Sequence, residues 1–486
     1  MKKATLPGFF AVLCFALAAF PLAAQQLTNI DTADRPVANL QSSASLNSGK
    51  PRAYTARIDP RNVLVDKFQG WGVSLCWWAN VVGGYSNRDT CADMIFNTLK
   101  LNIVRYNIGG GENPNGPDSL EFRARVPGFE PARGNWNWNA DQSQRWMLKA
   151  ALARGVDRVE AFANSPPYWM TVSGSVTGGH DGAANLQGSC EQDFAAYLAE
   201  VIQHLGQSDG VTFDAITPLN EPSSDWWKYG GHQEGCHMAA KQQNRLINLL
   251  QAELQKRGLR TLIDAPEDND EQSGIHDLKH YTRKALKDVG QISTHSYGAN
   301  NPAGLKSLAA HLHKPLRQTE YGDGEPTGMK MARRIRDDLA ILRPISWCYW
   351  QAVDYAGWGL LNNPLEADGT QNFFATRKFY TFEQFTRFLR PGCNLIACGD
   401  QNSIAGYDPS SHTLAIVTVN DSMADFTVTY DLSGFSATSP TAQPYRTSQS
   451  EDVKQLAPLT VKNQKFVSVI PAQSVTTFVL QHAMAN

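Results

Sequence analysis

Two glutamates pose the chemical question in this chain. Glu221 ends the run Ile216-Thr-Pro-Leu-Asn-Glu-Pro222, which is apolar until the polar pair Asn220-Glu221 and stops at a proline. Glu320 ends Pro315-Leu-Arg-Gln-Thr-Glu320, a second short strand-like run. A carboxylate at the C-terminal tip of a buried strand is where an α/β barrel keeps its chemistry. Two carboxylates facing one glycosidic bond are the minimum apparatus of most glycoside hydrolases. One must be protonated to release the leaving oxygen, and the other ionised to attack or to activate water. Arg105, in Ile103-Val-Arg105, suits the task of keeping a carboxylate ionised, and Tyr297 could hydrogen-bond the same group. The plain alternatives are a capping or surface role for Glu221 and a core ion pair for Arg105.

These residues need elements that bring them together. Strand candidates fall at 72–78, 102–108, 156–163, 213–219, 260–265, 291–296, 315–319 and 345–350. Between most of them, 89–99, 141–154, 191–205, 238–257, 281–288 and 327–342 are amphipathic at helical spacing. Eight strands alternating with helices predict a (β/α)₈ TIM barrel, an α/β fold, over residues 70–389. No phosphate-binding glycine fingerprint follows the first strand, which argues against a doubly wound sheet. Past a further helix at 379–389, alternating β-branched segments at 414–420, 426–430, 465–470 and 474–480 predict an antiparallel β-sandwich over 390–486. The strands expected within 51–69 have no partner in the barrel. They are assigned to that sandwich, which then draws on both chain ends.

With 486 residues, 42% hydrophobic and 19% charged, and a net charge of -2, the chain is globular. Without basic runs, nucleic acid is not expected as a partner. Lys2-Lys3, the apolar run 9–20 and Pro21-Leu-Ala-Ala24 form a signal-peptide pattern over 1–24, followed by a disordered leader at 25–50. The apolar run is too short for a comfortable membrane span, so a secreted or periplasmic monomer is expected. Of eight cysteines, seven would remain after cleavage. Cys190 with Cys236 and Cys393 with Cys398 are the candidate disulfides, with Cys348 a buried thiol. Twelve tryptophans, several in polar loops such as Trp226-Trp227, suggest stacking surfaces.

Taken together, Leu219-Asn-Glu-Pro222, Thr319-Glu320, Phe68-Gln-Gly-Trp-Gly72, Ile103-Val-Arg105, Asn164-Ser-Pro-Pro-Tyr-Trp169, His295-Ser-Tyr297 and Trp347-Cys-Tyr-Trp350 resemble glycoside hydrolase family 30 of clan A. Trp71-Gly-Val-Ser-Leu-Cys-Trp-Trp-Ala-Asn80 is most similar to the family's endo-β-1,6-galactanase branch. The resemblance implies a retaining enzyme that acts on arabinogalactan side chains, with Glu221 as acid/base and Glu320 as nucleophile. It implies that Asn220 contacts the sugar 2-hydroxyl. Trp169, Tyr297 and Trp350 would line the reacting sugar's subsite, with Arg105 and His295 beside it. Glu112 falls where relatives place a hydroxyl-binding carboxylate, in a glycine-rich setting that departs from theirs. The expected partner is a β-linked polysaccharide or oligosaccharide, with no cofactor. Related β-glycanases (β-1,6-glucanase, xylanase or glucosylceramidase-like) and a non-catalytic carbohydrate-binding protein remain open alternatives.

Other candidate sites are weaker. Glu267 and Asp268 follow the fifth strand, but Asp268-Asn-Asp-Glu271 has the composition of a solvated loop. His232, Cys236 and His237 lack the further ligands a zinc site needs, so no metal is expected. Gly109-Gly-Gly111 is followed by neither a helix nor a lysine. Ser74 and Ser165 lack the Gly-x-Ser-x-Gly setting of a hydrolase nucleophile.

Overall fold

The computed structural model describes residues 52–117, 122–365 and 372–485. The signal-peptide and leader assignments lie outside those residues. Strands β1 (Arg52–Arg57) and β2 (Val63–Val65) come first. Eight strands then close a parallel barrel: β3 (Gly70–Ser74), β4 (Ile103–Asn107), β5 (Arg158–Phe162), β6 (Ala215–Thr217), β7 (Leu262–Asp268), β8 (Val289–His295), β9 (Leu316–Glu320) and β10 (Ser346–Gln351). Most of these strands are buried at every position, as a parallel sheet wrapped in helices requires.

The second domain packs two sheets around a core that includes Ile396, Ile416, Val428, Tyr430, Phe466 and Phe478. Burial alternates along Phe426–Asp431, the pattern of a sheet with one wet face. Both ends of the chain enter this domain. β1 pairs with Phe426–Asp431 and β2 with Asn394–Ala397. The β1 pairing is parallel, the exception in an otherwise antiparallel sandwich, because β1 reaches that sheet by a crossover rather than a hairpin.

Barrel and sandwich belong to one compact unit. Helix Arg377–Thr386 joins them. Its Phe382 packs on Trp71, Trp347 and Tyr349 of the barrel. On another face, Gln384 Nε2 donates to Thr447 and the Gln384 carbonyl accepts from Thr477.

Two sequence expectations are corrected here. The seven cysteines described are all buried free thiols, so neither Cys190–Cys236 nor Cys393–Cys398 is a disulfide. Strand Asn394–Ala397 runs between Cys393 and Cys398. An extended span of five residues separates two Cα atoms by about 16 Å, where a disulfide needs under about 7 Å. Cys190 instead lies against Gln187 and Ser189, and Cys236 donates to the His237 carbonyl. The second correction concerns 268–271. Asp268 and Glu271 are buried, and Asp270 caps a helix, Glu271–His280, by accepting from Gln272 and Ser273 backbone N–H groups.

Phe382 is fully buried at the junction of barrel and sandwich. Phe382→Ala is expected to cost about 3–5 kcal/mol of unfolding free energy, read from denaturant titration, with a matching fall in melting temperature.

Candidate active site

The tip of β6 is held by backbone contacts before any side chain is considered. Asn220 N–H donates to the Ala163 carbonyl and Glu221 N–H to the Glu267 carbonyl. The Glu221 carbonyl accepts from Ser224 N–H and from the Trp227 indole N–H at 3.0 Å. Glu221 and Glu267 both adopt left-handed backbone, at φ 45° and 64°. Non-glycine residues persist there only where the surroundings over-determine them, and such positions cluster at functional sites.

Their side chains converge with those of β4, β8 and β9. Arg105 Nη1 donates to Glu320 Oε2 at 3.0 Å, and Nη2 contacts Glu267. The guanidinium also lies over the Phe162 ring, 4.3 Å from its centroid. Tyr297 O–H donates to Glu320 Oε1 at 3.0 Å. His295 Nδ1 meets Glu221 Oε1 at 2.9 Å, while its Nε2 faces Glu267 Oε1 at 3.3 Å. Asn269 Nδ2 donates to Glu221 Oε1, and Thr319 O–H to Glu267 Oε2. The register supports this meeting, because His295 lies opposite Glu320 across β8 and β9.

Charge accounting fixes the protonation of the group. Burial disfavours the charged form of His295, but Glu320, Glu221 and Glu267 outweigh it and raise the imidazole to about 10. Burial would lift Glu267, yet Arg105 and His295 hold it down to about 2. Burial pushes Glu320 up, His295 and Arg105 pull it back, and Glu221 pushes it further up. Two cations therefore face three carboxylates in a dry setting where net charge is costly.

One oxygen from each of these two glutamates and a ring nitrogen of His295 lie within 4.8 Å of one another. The set has the composition of a metal site. Its 2.9 Å contact between Nδ1 and Oε1 is a hydrogen bond, whereas two ligands of one tetrahedral zinc stand about 3.3 Å apart. That contact fits a hydrogen bond better than two ligands of one ion. His232, Cys236 and His237 form no such cluster among the described residues.

An aromatic wall adjoins the carboxylates. Trp77 and Trp350 meet edge-to-face at 5.1 Å, with Phe162 beside Trp350. Trp77 Nε1 and Asn220 Oδ1 are buried without a partner among the described residues, a donor and an acceptor suited to hydroxyl groups. Two sequence candidates stand apart. The Trp169 indole donates to the Glu130 carbonyl and carries Arg133 over its ring. Glu112 is exposed and makes none of the carboxylate contacts. A different carboxylate, Glu234, is fully buried beneath the glycine run and accepts from Gly110 N–H at 2.8 Å. Sequence reasoning overlooked Glu234 and underrated Glu267. The extension of strand pattern through 262–268 would have placed Glu267 inside the barrel.

A family model described as O-Glycosyl hydrolase family 30 matches residues 55–314. An endo-beta-1,6-galactanase of Hypocrea rufa is 33% identical over 468 residues, spanning 89% of this chain and 96% of that protein. The chain belongs to glycoside hydrolase family 30. Its fold is also that of a conserved exported protein from Bacteroides fragilis, with a TM-score of 0.76 at 21% identity, covering 88% of this chain and all of that one. A family 30 endoxylanase from Clostridium papyrosolvens matches with a TM-score of 0.67 at 21% identity, again over 88% of this chain and 100% of its own. This family 30 chain is therefore a glycoside hydrolase, and its polar cluster lies at the barrel face where such enzymes act.

The same cluster makes stability depend on pH at both ends. His295 is raised when folded, so its contribution is complete below the ordinary value of 6.5 and is lost as pH rises through about 10. Glu267 is depressed, so its contribution is complete above 4.5 and is lost as pH falls through about 2. Denaturation midpoints measured across pH should form a plateau between these limbs. The alkaline limb should flatten in His295→Gln and the acid limb in Glu267→Gln.

Proposed function

We propose that this enzyme is a retaining endo-β-1,6-galactanase acting on galactan side chains, with Glu221 as acid/base and Glu320 as nucleophile. The observation that carries the mechanism is the close approach of the two carboxylates. Their nearest oxygens lie within 4.8 Å, which suits the roughly 5–5.5 Å separation of retaining enzymes and not the 6.5–9.5 Å of inverting ones. Both glutamates receive donors, Glu221 from Asn269 and His295 and Glu320 from Arg105 and Tyr297. The roles are divided by the permanent cation Arg105, which pairs with Glu320 and favours its ionised form, and the acid/base role is assigned to Glu221.

In the first step, a Glu320 oxygen attacks the anomeric carbon while Glu221 passes its proton to the departing glycosidic oxygen. The second step reverses these roles. Glu221 takes a proton from water, the resulting hydroxide attacks the anomeric carbon, and the bond to Glu320 breaks. Asn220 Oδ1, unpartnered among the described residues, accepts from the sugar 2-hydroxyl. Tyr297 and Trp350 flank the reacting ring.

The substrate reading is supported by the 33% identity with a protein named endo-beta-1,6-galactanase. We further propose that residues 1–24 direct export and that the mature enzyme acts as a monomer.

Digestion of β-1,6-galactan beside β-1,3-galactan, β-1,6-glucan and glucuronoxylan tests the assignment. The expected result is cleavage of the β-1,6-galactan into oligosaccharides that initially retain the β-anomer. Turnover on none of these polymers would show a sugar-binding protein instead. Glu221→Gln should lower kcat by about 10²–10⁴-fold. Glu320→Ala should abolish hydrolysis while oligosaccharide binding, followed by calorimetry, persists.

A further inference from the structure

A tryptophan outside the carboxylate cluster is unusual in its surroundings. Trp226 is 50% exposed, and Tyr229, three residues on, is 44% exposed. Most other tryptophans here are partly or wholly buried in packing. Trp226 touches Trp227 edge-to-face at 5.9 Å, which leaves much of its ring facing water. A large apolar face kept in solvent is characteristic of a binding surface.

The loop that carries it is tightly secured. Trp227 is nearly buried, and its indole N–H holds the Glu221 carbonyl. Tyr229 N–H donates to the Gly179 carbonyl and Gly230 N–H to Thr177 Oγ1. Two glycines of the neighbouring loop permit this approach. A Cβ on Gly178 (φ +137°) would lie 2.2 Å from the Trp227 carbonyl carbon, and one on Gly182 (φ +76°) 2.2 Å from the Asp225 carbonyl oxygen. His180 packs on Tyr229 with ring centroids 4.6 Å apart and the planes tilted by 38°. The exposed indole is thus carried on a secured loop whose next residue, Trp227, holds the Glu221 carbonyl, with little left to order when a ligand arrives.

We propose that Trp226 is a stacking platform for the sugar units on the leaving-group side of the cleft, and so sets the preference for long chains. This rests on the acid/base role of Glu221. The oxygen that takes the Glu221 proton is bonded to the leaving sugar, so that sugar lies on the Glu221 side. The next units of the chain then pass the loop that follows Glu221. A β-linked hexose presents a C–H face that packs on indole. The exposed Asp225 and Lys228 beside Trp226 supply an acceptor and a donor for ring hydroxyls.

The test compares two substrates in the parent enzyme, Trp226→Ala and Trp226→Phe. One is a β-1,6-linked galactohexaose. The other is an aryl β-galactobioside, whose leaving group is a phenol and carries no sugar beyond the cleavage point. In Trp226→Ala, KM for the hexaose should rise at least about tenfold more than KM for the aryl glycoside, the effect of roughly one aromatic contact. Trp226→Phe should recover most of it. Equal changes on both substrates, or none on the hexaose, would overturn the proposal. Thermal melting separates a packing role, which would lower the melting temperature and impair both substrates alike. If the parent prefers another β-linked polymer, the substrate assignment fails by itself, and the same comparison is made with that polymer's hexaose and aryl glycoside.

Discussion

One buried guanidinium makes the active site possible. Three glutamates cannot share a dry barrel interior unless positive charge is brought in with them. Arg105 bridges Glu267 and Glu320 from β4, and His295 joins Glu221 to Glu267 from β8. Removing Arg105 would leave the fully buried Glu267 and its neighbour Glu320 short of a counter-charge. Arg105, Glu267, His295 and Glu320 lie on four separate barrel strands, so their spacing follows from strand register, while Glu221 is placed by the segment just beyond its strand. Glu267 never needs to touch substrate under this scheme. It fixes Arg105 and His295, which in turn contact Glu320 and Glu221.

The division between Glu221 and Glu320 also comes from neighbours and not from the residue type. Glu320 ends a regular strand with two donors aimed at it. Glu221 sits beyond the end of a short strand, on left-handed backbone, with its carbonyl taken by Trp227. The first setting suits a fixed anion and the second a group that exchanges a proton with substrate and water.

Much of this was legible before the structure. The βα rhythm marked eight strands because strands buried on both faces are apolar throughout, and their last residues then indicated where chemistry would gather. Arg105, Asn220, Glu221, His295, Tyr297, Glu320 and Trp350 all occur at or near the tips, as their sequence positions suggested. What was hidden depended on partners distant in sequence. Glu267 and Asp268 looked solvated because acidic composition favours water, and only Arg105 and His295 make burial of Glu267 tolerable. The helix Glu271–His280 was masked by the same acidic run, although Asp270 is an ordinary N-cap. Trp169 carried the right motif, yet its indole N–H is committed to the Glu130 carbonyl. Cys393 and Cys398 fail as a pair because a strand lies between them, and Cys190 and Cys236 because each thiol has its own neighbours.

The entry of β1 and β2 into the sandwich has a consequence for the order of assembly on the ribosome. The partners of β1 at Phe426–Asp431 are made only after the whole barrel has been synthesised. At about 5–20 residues per second, that interval is roughly 20–70 s. All eight barrel strands, Gly70 to Gln351, are made within that interval, so the sheet that β1 joins is the later of the two to receive its strands.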